Sequence, residues 1–443
     1  MKRIILYICI VLFCISGYAQ QHNSDLDTIS RLDQQMQIID QAVKTLQKLN
    51  VSGYIQTQYQ YAEADADGFS VKVGNPVNPV EREKLDNFSR FGIRRGRIKF
   101  TYEEGIVQGV FQPDITEKGI KFLDAFIAVK DPWLGTNELK TGVFAIPFGH
   151  EVGYASSLRE SPERARIIQS LFPDVRDVGA MFTLQPPKTS KLNILKLEAG
   201  LFAGNGIRPQ ISSRMDFAGR LSVTQRIDNH AQFALGISAY VGGVQKSDAQ
   251  IYVMKDKQFV VENNTPGNFG RYTKRHYFGV DAQLSIVTGA GLTRVKGEYI
   301  VGEHPGNASA AFDFKLTAIP TGPVYMRKIA GGYVMLSQDL NAIPLTFVGK
   351  YDWYNPNVKV SGNDIGVPES RTGPGDITRS TIGLGLLRHF TPVLKLTVYY
   401  DIVKNEQTVN LKDTKDGQGD ISKYGYEGQR KENVFTFRLQ YKF

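Results

Sequence analysis

Between Pro147 and Gly179 the chain crowds Arg159, Glu160, Glu163, Arg164, Arg166, Arg176 and Asp177 around a helical stretch expected over Ser161–Leu171. A guanidinium is planar, permanently charged and offers paired N–H donors that match two oxygens of a phosphate or carboxylate at once. Arg159, Arg164, Arg166 and Arg176 on one loop are therefore a candidate set for attracting and transiently coordinating small anions, above all where a passage narrows. The bland reading is an exposed loop whose Arg and Glu side chains pair with each other. Pro147-Phe148-Gly149 opens the segment by breaking a strand, and Phe172-Pro173 ends the helical stretch.

Other chemistries find no constellation. His150-Glu151 lacks the second histidine of a His-Glu-x-x-His site, and neither Gly-x-Ser-x-Gly nor a phosphate-cradling Gly-x4-Gly-Lys-Ser/Thr pattern occurs. The sequence thus names no catalytic residue, no metal ligand and no cofactor. Asp65-Ala66-Asp67-Gly68 and Asp413–Asp420 resemble calcium loops only faintly, since their spacing completes no motif. Cys9 and Cys14 are the only cysteines, and both fall in an N-terminal stretch with signal-peptide features. Lys2 and Arg3 precede an apolar run from Ile4 to Ile15, and Gly17-Tyr18-Ala19 supplies small residues for cleavage, so residues 1–19 are expected to be removed on export. The formal charge is +9 and becomes +7 without Lys2 and Arg3, a balance that favours anionic partners. No dense basic run with interleaved aromatics occurs, which argues against nucleic acid.

The elements that must position the loop are strands. In the last ten residues Phe435, Phe437, Leu439, Tyr441 and Phe443 alternate with Thr436, Arg438, Gln440 and Lys442. Period-two alternation of this kind suits a membrane barrel whose aromatic face meets lipid and whose polar face meets a wet lumen. Sixteen such segments are expected, from near 51–61 to 433–443, over a barrel domain at 51–443. Their links alternate in length. Long links (62–90, 147–177, 242–275, 302–328, 355–379 and 403–432) follow odd-numbered strands and tight turns follow even-numbered ones. The link after the third strand, near 114–120, is the exception. Charged faces sort with the same period: Arg95, Arg97 and Lys99; Arg214 and Arg220; Arg294 and Lys296; and Lys350 each oppose an apolar face. Because a Lys or Arg facing lipid at mid-depth costs roughly 2–4 kcal/mol, these eight bases are assigned to a lumen ladder. Arg438 and Lys442 become lumen candidates at the exit beside the C-terminus. Asp124, Asp216, Asp281, Glu298 and Asp352 share the lumen faces with the bases.

Residues 20–50 form a separate segment. Ile29, Met36 and Val43, with Leu32, Ile39 and Leu46, make an a/d seam over three heptads of a helix expected at Asp25–Asn50. The expected fold class is all-β: a sixteen-stranded antiparallel transmembrane β-barrel with a short N-terminal coiled-coil helix in the periplasm.

The chain resembles the phosphate-selective porin O and P family of outer-membrane channels. The resemblance runs from the second strand to the C-terminus. It rests on Phe91–Arg97 (FGIRRGR), Leu123-Asp124-Ala125-Phe126-Ile127, Gly142-Val143-Phe144 leading to Pro147-Phe148-Gly149, Glu163-Arg164, and Leu171-Phe172-Pro173 with Arg176-Asp177-Val178-Gly179. Gly200-Leu201-Phe202 with Gly204-Asn205-Gly206, Asp216–Leu221 and the closing Leu439–Phe443 complete it. It implies a homotrimer in the outer membrane of a Gram-negative bacterium, partnered by lipid and by small anions such as phosphate. It carries Arg164, Arg166 and Arg176 to a constriction and Arg95, Arg97, Lys99 and Arg220 to the wall. Ala145 departs from the polar or basic residue that family members often have after the strand-five Phe. A general or oligosaccharide porin, a barrel hydrolase and an adhesin remain the alternatives.

Overall fold

The computed structural model describes residues 36, 38–40, 43, 47–63, 65–66, 87–308, 318–415, 421–423 and 425–443. The chain divides into two units, Met1–Asn50 and Val51–Phe443. The expected signal peptide lies outside the described residues. In the expected coiled-coil segment, Met36, Ile38, Ile39, Asp40, Val43 and Gln47 are helical and exposed; the remainder of its seam lies outside the described residues.

The second unit is built from strands, in chain order β1 (Leu49–Glu63), β2 (Asn87–Glu104), β3 (Val107–Thr116), β4 (Gly119–Lys130), β5 (Glu138–Ala145), β6 (Arg176–Leu184), β7 (Leu195–Phe202), β8 (Asp216–Arg226) and β9 (Ala231–Gln245). There follow β10 (Gln250–Lys255), β11 (Gln258–Asn264), β12 (Tyr272–Thr288), β13 (Gly291–Gly306), β14 (Val324–Asp339), β15 (Leu345–Asn355), β16 (Arg379–His389), β17 (Leu394–Asn405), β18 (Thr414–Lys415), β19 (Ile421–Lys423) and β20 (Val434–Lys442). The main sheet has 18 strands. Two of them, β10 and β11, are a hairpin within the link from β9 to β12, and β10 runs parallel to the start of β14. The other sixteen form the closed antiparallel barrel that the sequence predicts. Closure is made by β1 against β20, in register from Tyr54 opposite Lys442 to Ala62 opposite Val434.

Burial is inverted relative to a water-soluble sheet. On β20 the polar Thr436, Arg438 and Gln440 are 1%, 4% and 5% exposed, whereas Phe437, Leu439 and Tyr441 are 43%, 41% and 50% exposed. Inward polar and outward apolar faces are what a lipid-embedded barrel requires. The same alternation recurs on β12 and β15.

Link lengths also sort by end. The links after β2, β4, β8, β12, β14 and β16 are tight, and those after β1, β5, β7, β9, β13, β15 and β17 are long; the exceptions are the two residues between β3 and β4 and the longer link from β6 to β7, which carries a 3-10 turn at Lys191–Ile194. One tight turn shows how it is set. Asp131 accepts from the backbone N–H groups of Leu134, Asn137 and Trp133, and these donors hold its carboxyl below the usual carboxylate range.

The hairpin and the β18–β19 pair lie within long links that the sequence reading left as loops. Other differences are local. Arg214, expected within the eighth strand, precedes β8 near the long-loop end. The helix expected at Ser161–Leu171 is confined to Arg166–Leu171 (α1). Pro162 restrains the preceding backbone, and the side chains of Glu163 and Arg164 are drawn apart toward different partners, so no helical turn forms before Ala165.

Candidate functional site

The 146–175 link folds into the barrel. Its base is pinched by a hydrogen bond from the Ile146 N–H to the Val175 carbonyl, 3.1 Å. Gly149 turns the chain inward at φ 58°, a left-handed conformation that favours glycine. A Cβ there would also collide with the Glu298 carboxylate. Phe148, Ile167, Ile168, Leu171 and Phe172 then pack on inward tyrosines, including Tyr240, Tyr277, Tyr333 and Tyr399. Phe172 lies 5.0 Å from Phe148 and 5.7 Å from both Tyr240 and Tyr277, ring centre to ring centre. The interior on the β9–β17 side is thus filled by a packed aromatic core.

Polar clamps finish the docking. Ala165 and Arg166, at the start of α1, donate their free N–H groups to Glu151 Oε2 (2.7 Å) and Asp352 Oδ1 (3.1 Å). The loop glutamates take wall cations. Glu151 pairs with Lys350 (3.0 Å), and Glu160 with Lys296 (2.7 Å). Glu163 takes Arg94 (2.8 Å), Arg95 (3.2 Å) and Arg438 (2.9 Å) together. Many bases assigned to a free ladder are therefore committed. Arg95, Lys296 and Lys350 are buried clamps, Arg220 pairs with Asp281 (2.7 Å), and Arg294 pairs with Asp339 (2.9 Å). Arg214 approaches Asp216 only to 3.9 Å and lies over the Tyr272 ring. A buried base without a partner would be costly, and this is why acids share the lumen face with bases. Arg166 is buried at the head of α1, and Arg159 is buried beneath the loop.

On the β1–β8 side the interior holds two cavities. One, of about 670 Å³, lies toward the tight-turn end, where Ser52, Lys140, Lys196 and Lys442 line it. The other, of about 500 Å³, lies toward the long-loop end, against Arg90 and the Thr116–Ile120 turn. Three residues line both: Arg97, Arg164 and Arg176. Arg97 pairs with Asp114 (3.0 Å) and bonds Ser156 Oγ (2.9 Å). Arg176 grips both oxygens of Asp124, at 2.7 and 3.0 Å. Arg164 makes no ion pair among the described residues; its guanidinium donates to the carbonyls of Glu151 (2.9 Å), Val152 (3.3 Å) and Tyr154 (3.5 Å). Lys99 lines the tight-turn cavity and makes no ion pair among the described residues. Eight Lys and Arg side chains line that cavity; five are paired with Asp114, Glu138, Asp124, Glu198 and Asp281, and Lys99, Arg164 and Lys442 leave its potential positive.

No protein-family model matches the chain, and no curated protein does. Solved structures do. Pseudomonas putida OprB aligns over 90% of this chain and 96% of its own length, with a TM-score of 0.53 at 10% identity. This is the fold of an outer-membrane barrel. The outer membrane channel DcaP of Acinetobacter baumannii aligns over 89% of this chain and 97% of its own, with a TM-score of 0.50 at 11% identity. At such identity the likeness is one of architecture, and the side chains of the site are this chain's own.

Of the expected constriction set, Arg164 and Arg176 line both cavities, as does Arg97 from the expected ladder. Arg94 was missed because strict alternation turns it away from the lumen, and only its place beside Arg95 hinted otherwise. Glu151, Glu160 and Glu163 were visible as acids, but their separate wall partners were not. Lys442 lines the tight-turn cavity, whereas Arg438 lies under the loop.

Proposed function

We propose that the protein is an outer-membrane porin that passes small anions by diffusion, and that Arg97, Arg164 and Arg176 form its selective narrowing. One observation carries this reading: two basic cavities on the same side of the lumen share three residues, and all three are arginines. An anion moving between the cavities exchanges water for guanidinium donors, while a cation meets the positive charge of Arg164, which makes no ion pair among the described residues. The resemblance to phosphate-selective porins supports an oxyanion such as phosphate as substrate. The carboxylates of Asp114 and Asp124, bound to two of the three arginines, favour a second reading, a general porin with only graded anion preference. Under either reading the protein is a diffusion channel and not an enzyme. It is exported on a cleaved signal peptide and assembled as a homotrimer, with residues 20–50 as a periplasmic coiled coil.

Planar-bilayer conductance of the purified, folded protein tests this. Anion-selective conductance is expected, and cation selectivity or absence of conductance sinks the porin reading. Millimolar phosphate should reduce the chloride current; an unchanged current would leave only the general porin.

A further inference from the structure

Beneath the inward loop lies a third, much smaller chamber, which shares only Ser156 with the tight-turn cavity. Its wall side is set by strand register. Gln56, Gln440 and Lys395 stand in one row across β1, β20 and β17, and Arg438 and Thr397 stand opposite each other in another. The loop covers them with Ser156, Arg159, Glu160, Ser161 and Pro162. The chamber measures about 10 Å³, close to the space of a single water-sized sphere.

Its chemistry is unbalanced. Arg159 is 4% exposed, and among the described residues none of its three guanidinium nitrogens has a hydrogen-bond partner. Lys395 reaches only the carbonyls of Ser157 (3.3 Å) and Arg159 (3.4 Å). Arg438 is satisfied by Glu163, Gln58 and the Pro162 carbonyl. Glu160 Oε1 is held by Lys296 and Tyr154, and its Oε2 is buried and makes no hydrogen bond to either cation. Three cations, Arg159, Lys395 and Arg438, and one carboxylate, Glu160, line the chamber; Glu163 pairs with Arg438, and Glu151, which faces Arg159, is itself paired with Lys350. Buried donors call for acceptors, and buried positive charge calls for a counter-charge.

We propose that the chamber is a structural site for one small monovalent anion, of chloride size, bound between Arg159 and Lys395. Such an ion supplies the missing acceptor, offsets the excess charge and fastens the loop to β17 and β20. A phosphate or sulfate does not fit the volume. The site takes its ligands from Arg159 and Lys395 rather than from Arg97, Arg164 and Arg176, although Ser156, which Arg97 bonds, lines it, and it stands whether or not the channel selects anions.

The full-length folded protein, crystallised in sodium bromide, gives the direct test. An anomalous peak within hydrogen-bond reach of the Arg159 and Lys395 nitrogens is expected; a water there, or no peak, overturns the site. Thermal unfolding gives a second test. At equal ionic strength the midpoint should be higher in chloride or bromide than in gluconate or sulfate, by about 2 °C or more. Arg159→Met should abolish that difference and Arg164→Gln should keep it. No halide dependence, or its loss in Arg164→Gln, refutes the assignment. If Arg159→Met does not fold, the bromide map of the unaltered protein decides.

Discussion

Arg164 is the residue whose replacement is most informative. Arg97 and Arg176 each carry a carboxylate within about a hydrogen bond's length, so each presents the passage with a near-neutral pair. Arg164 is held by three carbonyls and makes no ion pair among the described residues. At 4 Å in a water-like dielectric a unit charge attracts a monovalent anion by about 1 kcal/mol, and less water at the narrowing raises this. Arg164→Gln should therefore lower anion occupancy of the narrowing about fivefold. The same change relieves cation repulsion, so the anion-to-cation permeability ratio should fall by at least that factor. The assay is the reversal potential of the purified protein in an asymmetric potassium chloride gradient across a planar bilayer.

Two companion variants separate charge from architecture. Arg164→Lys keeps the charge but loses the fork that spans the carbonyls of Glu151, Val152 and Tyr154, so selectivity should persist even if conductance rises as the loop loosens. The double change Arg97→Gln with Asp114→Asn removes a neutral pair and should leave the reversal potential near that of the unaltered protein. If Arg164→Gln leaves that potential unchanged, or the paired double change alters it more than Arg164→Gln does, the assignment of the field to Arg164 is refuted.

Glu163→Gln strips the shared counter-charge from Arg94, Arg95 and Arg438; by the usual cost of breaking a buried pair it should destabilise the protein by about 3–5 kcal/mol, read as a lower unfolding midpoint in detergent. Phe437→Arg puts a cation on the outer face of β20 and should cost roughly 2–4 kcal/mol near mid-depth, measured by reversible folding into lipid vesicles, with a neutral result contradicting the lipid-facing assignment. Deleting residues 20–50 should weaken the homotrimer and leave a folded barrel, and cross-linking with heat-modified gel mobility distinguishes this from an unfolded product.

The barrel was legible because its physics is periodic. A strand facing lipid and lumen repeats every two residues, and tight turns need tight-turn residues, so faces, strand number and link parity all lie on the surface of the sequence. The hairpin at Gln250–Asn264 was not legible, because its second partner, β14, lies some sixty residues farther along. The site was legible in kind but not in pairing. Alternation puts Arg97 in the lumen, and the Pro147–Gly149 break sends the loop inward. Which acid each base meets depends on where the loop lands, and this is set by Phe148 and Phe172 packing on tyrosines of distant strands. The difference between Arg159, Arg164 and Arg166, all within eight residues, is one of depth against that core, and no local pattern encodes it.

The acids of the lumen acquire a definite role from this arrangement. A purely basic lumen would repel a basic loop and leave buried cations unpaired, so the loop's own Glu151, Glu160 and Glu163 neutralise the β2, β13, β15 and β20 side chains it covers. Along the cavities on the β1–β8 side such neutralisation is incomplete: among the described residues Lys99, Arg164 and Lys442 make no ion pair, and they leave those cavities a positive surplus. Asp124 lines the tight-turn cavity and binds Arg176, which lines both cavities. Asp124→Asn should therefore free Arg176, raise anion selectivity and leave the clamps on the other side intact, and a fall in anion selectivity would show that the carboxylate, rather than restraining the field, only holds Arg176 in position.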